Sequence, residues 1–244
     1  MPERDPDEDA GDRMPLVEHL AELRRRLIIS VLALVVGAIV GFILYNRILT
    51  ILIRPYTEVT GKTDFVFFDP LEAFATRLKV AAWSGGFLAS PVVLWQLWRF
   101  ITPGLHKKEK RYAVPFIIAS ILLFALGAAV ALYTFESALR FLVGVGGDQL
   151  TPLFSASKFL SLVILMIIAF GVAFEFPILL IFLELAGVVT SRKLRKWRRP
   201  AIVVIVAVAA VITPSQDPYS LFAMVVPMYL FYEASILIGR LLKK

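Results

Sequence analysis

The chain has 244 residues, is 59% hydrophobic, and carries a formal net charge of +7. Its mean hydropathy is +0.78. Soluble domains are roughly 45–50% apolar, and here the excess gathers in long uncharged runs, which defines an all-α integral membrane protein rather than a soluble one. There is no Cys, which excludes disulfides, thiolate catalysis and Cys-based metal sites. The basic charge is a matter of membrane orientation, not nucleic-acid affinity.

Residues 1–13, MPERDPDEDAGDR, are charged and hold Pro and Gly, a disordered acidic tail by composition. Residues 14–244 are expected to form a single six-span domain. Leu16, Leu20, Leu23 and Leu27 recur at helical spacing, predicting an amphipathic helix at the membrane surface just before the first span. That span covers Leu27 to Tyr45, and its 19 residues reach about 28 Å as a helix, close to the ~30 Å hydrocarbon core. The second starts at Asp69, a candidate N-cap followed by Pro70 and Glu72, and runs to about Trp98. The third runs from Tyr112 to Phe135. The fourth, Phe159 to Val189, has 31 residues, about 46 Å, and has to tilt, kink or protrude. The fifth, Ala201 to Ile212 between Pro200 and Pro214, has 12 residues, about 18 Å, too short for a full bilayer. Either the bilayer thins around it or it pairs with the sixth, Tyr219 to Ile238, as a partial hairpin.

Lys and Arg sort by side. The regions before the first span, 97–112, 186–199 and 240–244 hold 5, 5, 6 and 3, against 3, 1 and 0 in 47–69, 136–157 and 214–218. Arg77, Lys79 and Lys158 lie at span starts, where long basic side chains reach the interface. The bias places both termini in the cytoplasm.

No HExxH, GxSxG, paired intramembrane aspartates or Gly-rich phosphate loop is present, so neither a catalytic residue, a metal site nor a cofactor is expected. Four acids remain to be explained. Glu175 sits near the middle of the fourth span, where a charged group costs about 2.5–3.5 kcal/mol or more unless it faces protein or a wet cavity. Pro177 removes a backbone donor beside it and frees the carbonyl of Ala173. The pair predicts a kinked, water-accessible polar spot, or an interhelical hydrogen bond to Thr213 or a serine. Glu22, in HLAELRRRL (19–27), is most simply an i,i+4 partner of Arg26. Glu109 is the sole acid of LHKKEKRY (105–112), either local charge balance or a carboxylate offered to a cationic partner. Asp217, before Pro218, fits ordinary turn chemistry. Glu184 and Glu233 lie near the cytoplasmic end of their spans, where an interfacial position accounts for them.

Five stretches in order, HLAELRRRL, ASPVVLWQLWRFITPGLHKKEKR, AFGVAFEFPI, ITPSQDPYS and VPMYLFYE, resemble the TatC family, the polytopic subunit of the twin-arginine protein translocase, over about residues 14–240. The resemblance implies a glove-shaped six-helix bundle with short fifth and sixth spans and a concave face that thins the bilayer. It implies a non-enzymatic role in the cytoplasmic membrane of bacteria or archaea: binding the twin-arginine signal peptide of folded export substrates, with the single-span partners TatA and TatB and further copies of itself, powered by the proton-motive force. By the same resemblance Glu22 and Glu109 receive the arginine pair, with Arg24 and Phe100 on motif positions linked to recognition. Glu175, with Pro177 and Thr213, marks the intramembrane polar site, and Pro55 and Asp217 match sensitive outer positions. Leu221 stands where many relatives carry Gln. The competing reading is a proton- or cation-coupled transporter of a small solute using Glu175, since broken helices and a midplane carboxylate are usual in such proteins.

Overall fold

The computed structural model describes residues 16–62, 64–101, 113–147 and 153–241. These form nine α-helices: α1 (Leu16–Ile43), α2 (Tyr45–Thr60), α3 (Glu72–Ile101), α4 (Ala113–Val145), α5 (Ala156–Phe174), α6 (Phe176–Leu185), α7 (Ser191–Lys196), α8 (Arg198–Ile212) and α9 (Pro218–Leu241). The acidic tail and Glu109 lie outside the described residues. Five segments are long and apolar enough to cross a membrane: Leu20–Ile43, Glu72–Ile101, Val114–Val145, Ala156–Leu185 and Pro218–Leu241. With α8 between the last two, the six-segment order expected from sequence is present.

Four boundaries differ from the sequence reading, each for a local reason. The leucine-spaced stretch before the first span is not a separate surface helix. It runs unbroken into the span as the 28-residue α1, and Leu20 and Leu27 are exposed. The stretch 47–69, between the first and second spans, holds most of α2. Ile48, Leu49, Leu52, Ile53 and Tyr56 recur every three or four residues, and the helix ends where Gly61 turns left-handed at φ 66° and its N–H bonds Thr57 O at 3.0 Å. α4 runs on to Val145, ten residues past Phe135, because Glu136 and Arg140 pair one turn apart at 2.7 Å on its exposed side. Of the two segments expected to be short, α8 has 15 residues and α9 has 24, so only the fifth falls short of a bilayer.

The start of α3 follows its caps. Asp69 Oδ1 accepts from Leu71 N at 2.6 Å, and Glu72 Oε2 reaches back to Phe68 N at 2.8 Å. On α2, outside the spans, the Arg54 guanidinium bonds Glu58 at 2.7 Å and holds that carboxyl below its ordinary value.

The fourth span is the axis of the bundle. Of its most apolar window 56% is buried, against 11% for the first span. Phe135, Phe159, Phe170, Phe174 and Met224 form the middle of the core, and α2 seals its outer end by stacking Tyr56 on Phe65 at 4.4 Å. α1 instead leans on α3 through small residues. Lipid supplies no hydrophobic drive between spans, so close backbone approach has to do it. A Cβ on Gly85 would stand 2.3 Å from Ala38 N, and one on Gly37 would stand 2.5 Å from Gly85 O.

Gly85→Leu is therefore expected to lower thermal stability in detergent by about 1–3 kcal/mol, through forced separation of α1 and α3. Gly144→Ala, with nothing within 4 Å of the new Cβ, is expected to leave stability unchanged or slightly raised. Equal melting temperatures for wild type and Gly85→Leu would show that this crossing does not hold α1.

Candidate functional site

The fourth span breaks at Glu175. α5 ends at Phe174, Glu175 sits at φ −72°, ψ −15°, and α6 restarts with Phe176 and Pro177. The cause is Pro177, which has no N–H to give the carbonyl of Ala173 and whose ring crowds that turn. Around the break the backbone bonds are tightened or supplemented: Glu175 N bonds Val172 O at 3.1 Å, Leu179 N bonds Glu175 O at 3.1 Å, and the Ser235 hydroxyl of α9 donates to Pro177 O at 3.4 Å. The predicted kink is there. Its depth is not quite the predicted one. The paired helices run 156–185, so Glu175 lies about 7 Å to the cytoplasmic side of their midpoint.

The carboxylate closes a three-helix relay. Trp98 Nε1–H on α3 donates to Ser120 Oγ on α4 at 2.7 Å, and the Ser120 hydroxyl donates to Glu175 Oε2 at 2.7 Å. Trp98 is buried, Ser120 has no exposed surface, and rings of Phe116 and Phe182 pack against the indole at 5.9 and 5.7 Å. Oε1 of Glu175 has no partner. The site thus holds one oxygen fixed and leaves the other buried without a partner, at a break in the helix.

Of the alternatives for Glu175, the serine bond is the one formed, and its serine is Ser120. Thr213 is not part of the relay. It is buried at the end of α8, where its hydroxyl donates to Ala209 O at 2.7 Å and lies 3.7 Å from Met224 Sδ. Trp98 and Ser120 were not singled out from sequence. Ser120 was visible as the lone polar residue in FIIASILLF, but no pattern within one helix says which neighbour it faces.

At the cytoplasmic end Glu22 pairs with Arg26 as the spacing predicts. Arg26 Nε donates to Glu22 Oε1 at 3.0 Å and its Nη2 bonds the same oxygen. Arg26 Nη1 also reaches Gln96 Oε1 of α3 at 3.4 Å. The second carboxylate oxygen, Oε2, is buried and has no partner. Phe100, half-buried, lies one helical turn beyond Gln96 toward the same end, so α3 brings it to the level of Glu22. Arg24 is exposed on α1.

The remaining candidates are structurally accounted for. Pro55 is buried inside α2 beside Tyr56, whose hydroxyl donates to Asp64 O at 3.1 Å. Asp217 caps α9: Oδ1 accepts from Ser220 N at 2.8 Å, and Oδ2 takes the Ser215 hydroxyl. Glu233 pairs with Arg198 near the surface, as an interfacial acid should. Glu184 does not fit that expectation. It is 1% exposed, and its carboxylate lies against the backbone of Gly239, where a Cβ would come within 2.3 Å of Oε2. Among the described residues no group of three His, Cys, Asp or Glu converges as a metal site would require.

These features define a polytopic helical membrane protein with a broken central span and carboxylates held at two depths. Residues 18–227 match the model of the family described as Sec-independent protein translocase protein (TatC). The chain is 43% identical to the TatC protein of Frankia casuarinae over 94% of its own length and 66% of that relative's. It is 40% identical to the Aquifex aeolicus protein, covering 93% and 95% of the two chains. Its fold matches a crystal structure of the twin arginine translocase receptor TatC with a TM-score of 0.76 and 38% identity, covering 93% of this chain and 100% of that one. The chain belongs to the TatC family, whose members are protein translocase components of the membrane, not enzymes. That assignment sets aside the small-solute transporter.

Ser120→Ala leaves both Trp98 Nε1 and Glu175 without their shared partner. A loss of about 1–3 kcal/mol of stability is expected, the cost of one buried group left unsatisfied. Thermal unfolding in detergent, followed by tryptophan emission, measures it. An unshifted transition would mean that water replaces the hydroxyl without loss.

Proposed function

We propose that this protein is the signal-recognising subunit of a twin-arginine translocase. It acts in the cytoplasmic membrane of a bacterium or archaeon, with TatA, TatB and further copies of itself, using the proton-motive force. The observation that carries the reading is the half-engaged carboxylate of Glu22, with one oxygen held by Arg26 and the other buried and unpartnered. An incoming guanidinium finds there an acceptor already stripped of water and oriented by a neighbour. Guanidinium matches carboxylate in shape as well as charge, which an ammonium does not. Glu109, in the adjoining loop, serves as the second acceptor, Phe100 packs against the apolar stem of the signal, and exposed Arg24 orders the approach at the headgroup level. The apolar part of the signal then meets the bundle at the break beside Glu175. Pro55 and Asp217 act on the outer side by fixing α2 and the turn before α9.

The decisive comparison is binding of a twin-arginine signal peptide to the detergent-solubilised protein against the same peptide with both arginines changed to lysine. The arginine form is expected to bind about tenfold tighter or more, the worth of roughly one charge-assisted bond. Glu22→Ala and Glu109→Ala are each expected to erase most of that difference. Equal binding of the two peptides, indifferent to both substitutions, would sink the reading.

Glu175→Ala separates recognition from passage. Export of a twin-arginine passenger is expected to fall while peptide binding in detergent stays near wild type. Loss of both together, with a lowered melting temperature, would assign Glu175 to the fold alone.

A further inference from the structure

The other half of the bundle holds a cavity of about 550 Å³ that the signal-binding reading does not use. It opens between α3, α4 and α5, with Trp83, Phe87, Ala128, Leu132, Ile164 and Ile168 among its walls and residues of α2 closing one side. No charged side chain lines it, and its one hydroxyl, Ser84, is turned onto Val80 O of its own helix at 2.6 Å. The volume lies within the roughly 300–1,000 Å³ of small-ligand sites.

The rim is different in kind. Lys79 stands one turn outward of Trp83 on the same face of α3. Its ammonium donates to Ser157 Oγ at 2.8 Å and Ser161 Oγ at 2.9 Å, on the same face of α5 as Ile164 and Ile168. The lysine therefore bridges two walls of the cavity at their outer ends. It is half-buried, and among the described residues no carboxylate comes within ion-pair distance of it. Two neutral hydroxyls do not supply the counter-charge that a partly desolvated cation needs. Arg77, two positions earlier on α3, faces the other way, over the rings of Phe42 and Tyr45 at 4.5 and 5.1 Å, and is not part of this rim.

The Glu72 carboxylate, on Ser157 N at 3.4 Å, is engaged beyond that serine, so an apolar chamber with an ammonium at its rim that makes no ion pair is complementary to one class of molecule, an acyl chain carrying an anionic head. We propose that this cavity is a binding site for an anionic phospholipid of the outer leaflet, with its phosphate at Lys79 and an acyl chain between α3, α4 and α5. An apolar helix of a partner or of a second copy would fill the chamber and leave Lys79 without a counter-charge. The leaflet follows from the Lys and Arg distribution of the loops, which puts the start of α3 on the outer side.

Trp83, in the cavity wall, reports the occupant. The full-length protein is reconstituted in nanodiscs of phosphatidylcholine containing a rising fraction of phosphatidylglycerol with brominated acyl chains, or the same fraction of brominated phosphatidylcholine. The quenching difference between wild type and Trp83→Phe isolates the Trp83 signal. Half-quenching is expected at an about fivefold lower fraction of the anionic lipid, the preference that one basic residue near the membrane surface confers. Lys79→Gln is expected to remove most of the preference and Lys79→Arg to keep it. Equal quenching by the two lipids, or a preference untouched by Lys79→Gln, overturns the proposal. So does absence of quenching by either lipid, which would mean that a protein chain fills the cavity. Should Lys79→Gln fail to fold, the comparison of the two lipids on the wild type, with Lys79→Arg beside it, still decides.

Discussion

The hydrogen bond from Ser120 to Glu175 joins the third span to the fourth at the point where the fourth breaks. Within hydrocarbon no water is at hand for a backbone opened by proline, so a break survives only where protein surrounds it. Here α3, α4 and α9 do so. Trp98 orients the serine, the serine orients the carboxylate, and Ser235 takes up the carbonyl of Pro177. Because α5 carries the densest core contacts, a break in it sets the direction of both halves of the bundle. The half toward Leu185 packs on α9, and the half toward Ala156 packs on α4 and, at its outer end, on α2.

Around that axis the packing is uneven, and the unevenness has a physical origin. Past Ser161, α5 is apolar on every side and is covered on most of them. The spanning part of α1 is equally apolar yet is held mainly by α3, through a seam of Gly37, Gly41 and Gly85 that brings the two backbones together. A seam of small residues gives close contact over a narrow strip and leaves the rest of α1 to lipid or to other spans. The cytoplasmic end of the same pair is tied by Arg26, which bonds both Glu22 on its own helix and Gln96 on α3. One arginine thereby couples the carboxylate at the surface to the α1–α3 seam.

Legibility from sequence followed the range of the interaction. The capping of α3 by Asp69 and Glu72, the Glu22–Arg26 pair and the kink at Glu175–Pro177 all involve residues within four positions of one another, and each was readable as local chemistry. The partner of Glu175 was not, because Ser120 is 55 positions away and its register against α5 is set by packing. α2 was readable in principle. Its 3–4 spacing of Ile48, Leu52 and Tyr56 is as regular as that before the first span, but Pro55 and the flanking charges disguised it as a loop. Glu184 shows the opposite error. Its place near a span end suggested the interface, while Gly239 lets α9 close over it. A glycine on another helix leaves no trace in the sequence around the acid it covers.

The short fifth span follows from how its outer end is held. Helix α8 has 15 residues, about 22 Å, some 8 Å less than the hydrocarbon core. Had its outer end merely frayed into lipid, the turn that follows would expose unpaired backbone there. Instead Thr213 and Asp217 are both buried, the threonine hydroxyl closing the last turn of α8 and the carboxylate starting α9. A turn satisfied by its own side chains tolerates a position below the headgroups. Lipid next to α8 must then thin or tilt, at a modest cost per ångström of mismatch. The turn that ends the short span packs on α5, where the Ser215 hydroxyl lies 3.5 Å from Met166 Sδ, and starts α9 through Asp217, so the outer end of α8 is held by the two helices that carry the core.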